Sequence, residues 1–166
     1  MNPHLLDFIV GGRIRAVKIR ELKVPEYLEL KSANNEENIN EDIVLDCDFE
    51  YEESEAKQLV VKWYFNGDST FFYQWIPSQN KPQLIDNELG RLFRNHVDLE
   101  HIVEGSDDPF TKHRALLLRN PTVALSGVYE CKVSTFDSED RQQKEMKLVS
   151  KYIFEFNYLL FNYLFN

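Results

Sequence analysis

Cysteine is scarce in this chain: only Cys47 and Cys131 occur in 166 residues. That count excludes a disulfide-dense miniature scaffold and a zinc site built on three or four cysteines. Glycine and proline number six each, so the chain is neither collagen-like nor a low-complexity linker. Positive charge is outweighed, with 19 Lys and Arg against 28 Asp and Glu and a net charge of −9. A nucleic-acid backbone or an anionic membrane surface needs a positive face, so neither suits this chain as its main partner. Long apolar runs are also missing. The run Tyr152–Asn166 is too short for a membrane helix and is broken by Glu155, Asn157 and Asn162. The first residues have an apolar patch before Arg13 and Arg15 rather than after a basic start, so no secretory signal is visible.

Catalytic patterns are equally scarce. The sequence has no Gly-x-Ser-x-Gly elbow, no phosphate loop and no metalloprotease helix. His4, His96, His101 and His113 are scattered without zinc spacing, and read as surface or loop residues. Glu50, Glu52, Glu53 and Glu55 lack the spaced Asp/Asn-Gly pattern of a calcium loop and read as a solvated charge run, as does Asp107-Asp108. Asn120-Pro-Thr is not a glycosylation acceptor, because proline holds the middle position. The expectation is a protein that is not an enzyme, with no cofactor and no metal.

What is abundant is apolar and aromatic material. Hydrophobic residues make up 43%, and aromatics 13%, with 12 Phe, 8 Tyr and 2 Trp. That is enough for one packed domain plus tails. We divide the chain into an irregular lead over 1–14, a domain over 15–150 and an aromatic tail over 151–166. The tail is read as either an extended last strand or non-native sequence. Within the domain the alternation has period two. Residues 15–31 suit an edge strand, bent or ended at Pro25. Residues 32–41 are a polar loop. Ile43, Leu45 and Cys47 share one face, with Asp46 and Asp48 on the other. Leu59, Val61 and Trp63 point inward, and Lys62 and Tyr64 outward. Asn66-Gly67 signals a turn. An aromatic strand follows over 71–76, ended by Pro77, and then a long polar connection over 78–95. Strands are further expected near 97–103, over 114–119 with Leu116 and Leu118 on one face, over 127–133 with Tyr129, Cys131 and Val133 inward, and over 145–150. No helical periodicity is sustained. Short strands at this spacing indicate a sandwich or barrel.

Two cysteines alone could be buried thiols or a disulfide. Their setting decides the reading. The order is Cys47…Trp63…Cys131, and Tyr129 lies two residues before the second cysteine. In immunoglobulin domains these positions are the inter-sheet disulfide, the tryptophan packed on it and the tyrosine corner. The fold expected is all-β: an immunoglobulin-like, V-type antiparallel β-sandwich with one inter-sheet disulfide. Leu125 stands where many variable-type domains have an Asp in a salt bridge, so that bridge is not expected.

Val61-Lys-Trp-Tyr-Phe65 followed by Phe72-Tyr-Gln-Trp-Ile-Pro77 resembles the first immunoglobulin domain of the insect beaten-path (Beat) family. Val97-Asp98-Leu99, residues 116–120 and Ser126–Ser134 fit the same pattern. The resemblance covers about residues 15–150. It implies an extracellular, secreted or surface-attached neuronal recognition protein. Its implied partner is another immunoglobulin-superfamily surface protein of the Sidestep type, and its implied setting is axon guidance. A secreted humoral or structural immunoglobulin protein with an unrelated ligand is the alternative.

Variable-type domains commonly bind through the outer face of the sheet built from their third, fourth, sixth and seventh strands. Tyr64, Phe72, Tyr73 and Trp75 are therefore candidate partner-binding residues. Glu130 and Lys132, with Val128, extend that face. Exposed aromatics make good anchors. Against this, the aromatic strand could instead pack beneath the 78–95 connection.

Overall fold

The computed structural model describes residues 16–31, 41–79 and 81–150. The lead over 1–14, most of the 32–41 loop and the 151–166 tail lie outside the described residues.

Among the described residues ten strands form. They are β1 (Lys18–Lys23), β2 (Tyr27–Leu30), β3 (Ile43–Glu50), β4 (Val60–Phe65) and β5 (Tyr73–Trp75). Then come β6 (Gln83–Leu84), a one-and-a-half-turn helix α1 (Glu88–Phe93), β7 (Val97–Asp98), β8 (Leu116–Leu118), β9 (Gly127–Ser134) and β10 (Glu139–Ser150). They build two sheets, in the orders β1-β3-β8-β7 and β2-β10-β9-β4-β5-β6.

Pro25 separates β1 from β2, and the break changes sheets. β1 pairs antiparallel with β3 in the small sheet, while β2 pairs parallel with β10 in the large one. Proline supplies no N–H, so a break in the ladder there costs no hydrogen bond. The single edge strand expected over 15–31 is thus two. The parallel β2–β10 pair is also an exception to the all-antiparallel expectation.

The inner faces follow the period-two pattern. Ile43, Leu45, Cys47 and Phe49 from β3 meet Val61, Trp63 and Phe65 from β4 and Tyr129, Cys131 and Val133 from β9. Leu116, Leu118, Met146 and Leu148 complete this core. Cys47 and Cys131 are joined across it as a disulfide with Cα atoms 6.3 Å apart. Trp63, directly opposite Cys131 in the β4–β9 register, has no exposed surface. The Tyr129 hydroxyl donates to the Leu125 carbonyl at 2.7 Å, which closes the tyrosine corner, and the Leu125 side chain is buried.

Asn66 and Gly67 both take positive φ, 53° and 72°, and Asp68 N–H donates back to the Phe65 carbonyl at 3.1 Å. Such a turn suits Asn-Gly, because both central positions are left-handed. Asn66 Oδ1 then accepts the Val128 N–H at 2.9 Å, which ties the turn to β9.

Three expectations are revised. The 78–95 connection is not simply polar loop: it holds β6 and α1. Asn87 Oδ1 accepts the Gly90 N–H at 2.6 Å and starts the helix. The strand expected over 97–103 is only Val97–Asp98. The last strand begins at Glu139 rather than 145, hidden by polar residues in both phases. Two of these face β1 and serve its edge backbone. Asp140 Oδ2 accepts the Ile19 N–H at 2.8 Å, and Gln142 Nε2 donates to the Ile19 carbonyl at 3.0 Å. They join the two sheets along one edge by hydrogen bonds rather than apolar packing.

Candidate binding face

The six-stranded sheet turns one face to the core and one outward. The register sets which residues appear outside. Lys62 stands opposite Lys132, and Tyr64 opposite Glu130, across β4 and β9. Arg141 stands opposite Lys132, and Gln143 opposite Glu130, across β9 and β10. Tyr64, Val128, Glu130 and Lys132 are half-buried and point outward, as their alternation predicts.

The aromatic candidates divide differently. Tyr73 pairs with Trp63, and Trp75 with Val61, so both share the inward face of β4. Trp75 has no exposed surface, and Tyr73 almost none. The Tyr73 hydroxyl finds its partner in the His113 carbonyl at 2.8 Å. Phe72 is also fully buried, stacked on Phe93 of α1 with centroids 3.9 Å apart. Phe72, Tyr73 and Trp75 are therefore core residues and leave the candidate face. The cover comes from α1 over Phe72 and from the 99–115 connection over Trp75.

The outward aromatic beside Tyr64 is Phe71, which alternation could not find. The chain bends at 71–72 before β5 starts, so Phe71 and Phe72 do not keep the phase of Tyr73 and Trp75. Phe71 lies edge-on to Tyr64 with centroids 6.1 Å apart, and Lys62 Nζ sits 4.4 Å from the Phe71 ring centre. A cation over an aromatic face is attracted by the ring's electron density.

A charge ladder borders this cluster. Lys132 Nζ lies 2.5 Å from Glu139, and Arg141 lies 2.9 Å from Glu139 and 4.0 Å from Glu130. The Lys132 and Arg141 bonds hold the Glu139 carboxyl below its ordinary range. These groups are solvated enough that their pairing adds little stability.

The outer face of the small sheet is different. Arg114 forks onto Asp46 at 2.8 and 3.1 Å and also reaches Asp48, which Arg20 meets at 2.9 Å. Arg119 joins Asp42 and Asp98, and this pairing holds the Asp98 carboxyl low. The charges there are spent on one another.

Two loops depart from the sequence reading. Glu55 is not solvated: it is buried, with Oε1 accepting from Thr135 Oγ1 at 3.0 Å. Asp108 accepts the Phe110 N–H at 2.8 Å and the Tyr51 hydroxyl at 2.9 Å. Burial and then this bond push the Tyr51 hydroxyl up to about 12. At the tip of the β9–β10 hairpin Phe136 is 87% exposed, and nothing in the strand pattern marked it. Among the described residues no group of His, Cys, Asp and Glu could hold a metal ion, and no helix is long and apolar enough to cross a membrane.

With this geometry in place, comparison with known proteins places the fold. The human B7-H4 IgV-like domain superposes with a TM-score of 0.52 at 18% identity, covering 81% of this chain and 96% of that one. At that identity the likeness speaks for the fold alone. No curated protein matches the sequence. The family model of the CD47 immunoglobulin-like domain, a V-set domain, matches residues 27–157. Strand order, disulfide, tryptophan and tyrosine corner agree with that match, and the chain belongs to the CD47 immunoglobulin-like V-set domain family.

Proposed function

We propose that this chain is a non-enzymatic recognition module, extracellular or cell-surface attached, with its immunoglobulin domain spanning residues 15–150. It binds another immunoglobulin-superfamily protein through the outer face of the six-stranded sheet. One observation carries this reading: the outward cluster of Tyr64, Phe71 and Lys62 sits beside a solvated Glu130–Arg141–Glu139–Lys132 ladder. An aromatic anchor ringed by charges of both signs is the usual anatomy of a protein interface, with energy at the centre and orientation at the rim.

The finer reading rests on the Beat-like stretches over 61–65 and 72–77. It makes the partner a Sidestep-type surface receptor and the setting axon guidance. The core role of Phe72, Tyr73 and Trp75 takes those three residues out of partner choice, and leaves it to outward residues such as Lys62 and Tyr64.

The test is a binding screen of the oxidised chain against immunoglobulin-superfamily ectodomains, Sidestep-type receptors included. The double variant Tyr64→Ala, Phe71→Ala should bind any receptor found about tenfold or more weakly, with its melting temperature nearly unchanged. A folded double variant of undiminished affinity would move the interface elsewhere. A screen without a Sidestep-type hit would remove the axon-guidance reading.

A further inference from the structure

The outermost strand of a sheet carries backbone N–H and C=O groups without a ladder partner, and a fold must blunt them or leave them open to another chain. Three of the four sheet edges here are blunted. β6 and β7 are only two residues long. On β1, the side chains of Asp140 and Gln142 take up the Ile19 N–H and carbonyl. β2 is different: it ends the six-stranded sheet, and among the described residues no strand lies beyond it.

The ladder shows which groups of β2 are left over. Lys147 N–H donates to the Glu26 carbonyl at 3.0 Å, and Lys147 stands beside Tyr27 in the parallel register. In a parallel ladder one residue turns both of its groups to the neighbouring strand and the next turns both away. Leu28 therefore serves β10, while Tyr27 and Glu29 turn their N–H and carbonyl groups outward. Both residues are exposed. Side chains alternate in step. Tyr27 and Glu29 lie on the outer face of the sheet. Leu28 and Leu30 lie on the inner side and line a groove with Pro25, Ile43 and Val44.

We propose that β2 is a pairing edge for a second copy of this chain: two β2 strands meet antiparallel about a dyad at Leu28 and join two six-stranded sheets into one. The strand is complementary to itself. In this register Tyr27 of one copy faces Glu29 of the other and the two exchange both bonds, and the dyad repeats the exchange, so every outward group is satisfied. Leu28 meets its own copy on the inner side, beside the groove. Centring on Tyr27 would set Glu29 against Pro25, which has no N–H. Centring on Glu29 would set two carboxylates directly opposite each other. Charge sets the strength. In the favoured register the two Glu29 carboxylates are diagonal neighbours, and each chain carries a net charge of −9. The contact is also small, so the pair is transient. Salt screens the repulsion and tightens it. The outer faces stay open and point the same way, which places two Tyr64–Phe71 clusters on one continuous sheet. The pairing stands apart from the identity of any receptor.

The experiment uses the full oxidised chain. Sedimentation velocity is run from micromolar to millimolar concentration, and amide exchange at Tyr27 and Glu29 is followed over the same range. Both amides should exchange freely in the dilute chain and gain protection as a dimer forms, and added salt should raise the dimer fraction. Glu29→Gln removes the diagonal repulsion and should tighten the pair about threefold. Glu29→Pro removes an N–H that the free domain does not bond, a change that an edge strand tolerates, and should leave only monomer. A wild-type chain that stays monomeric at millimolar concentration overturns the proposal. A dimer that survives in a folded Glu29→Pro also overturns it, because the contact then lies on another surface. Protection of both amides at every concentration overturns it too, because the edge is then covered within one chain. Should Glu29→Pro fail to fold, the wild-type exchange and the response of Glu29→Gln decide.

Discussion

Tyr64 and Trp75 are aromatic residues on neighbouring strands, yet truncation should affect them in opposite ways. Trp75 has no exposed surface, so Trp75→Ala leaves a large cavity in the core and should cost about 3–5 kcal/mol. Tyr64 is half-exposed on the outer face, so Tyr64→Ala should shift stability by about 0.5 kcal/mol or less. Urea denaturation of the two variants separates these outcomes, and equal losses would mean that the two rings are equally buried. The difference was half legible in the sequence. Tyr64 sits in a clean alternation, Val61-Lys-Trp-Tyr-Phe65, where Trp63 fixes the phase. Trp75 sits in Phe71-Phe-Tyr-Gln-Trp75, where apolar side chains occupy both phases and alternation cannot choose. Only the pairing of Trp75 with Val61, and the cover from His113, settles its direction. Glu55 and His113 were illegible for a related reason. Their burial depends on partners 80 and 12 residues away, Thr135 and His101.

Between elements, Arg114 is the residue on which most depends. It stands at the end of the 99–115 connection, just before β8, and its guanidinium spans Asp46 and Asp48 on β3. Those carboxylates are only 13% and 21% exposed. Arg114→Ala would leave Asp46 without its cation and Asp48 with Arg20 alone, at a cost of about 2 kcal/mol once partial solvent screening is allowed for. Arg20→Ala removes only a more exposed partner of Asp48 and should cost less than about 1 kcal/mol. Thermal melts of both variants check the ranking. At this scale the sequence showed the strands that alternate and concealed those that do not. β10 was shortened by its polar inner residues Asp140 and Gln142, which bond the β1 backbone instead of packing. Helix α1 was missed because six residues carry less than two turns of periodicity.

For the whole molecule, the Cys47–Cys131 bond closes a loop with a sequence separation of 84. In the chain-entropy account, removing it should lower stability by about 4.5 kcal/mol at 25 °C. Urea unfolding with and without reductant measures this, and coincident midpoints would mean that packing around Trp63 suffices without the bond. The overall architecture was the most legible level. Cys47, Trp63, Tyr129 and Cys131 specify two facing sheets, because each makes sense only with the others across one core. What composition could not convey is how charge divides between faces. A net charge of −9 says nothing of how Arg20, Arg114 and Arg119 pair with aspartates on the small sheet while Lys132 and Arg141 share Glu139 on the large one.

The change of sheet at Pro25 has a mechanical consequence. It brings β2 beside β10 in parallel, with register pairs from Lys147↔Tyr27 to Ser150↔Leu30. A pull that draws the start of β2 and the end of β10 apart runs along both strands in opposite senses. Their hydrogen bonds are then loaded together in shear instead of being unzipped one after another. Behind that patch the disulfide makes the chain between Cys47 and Cys131 inextensible. A domain laced in this way resists tension along its strands far better than its thermodynamic stability alone would suggest.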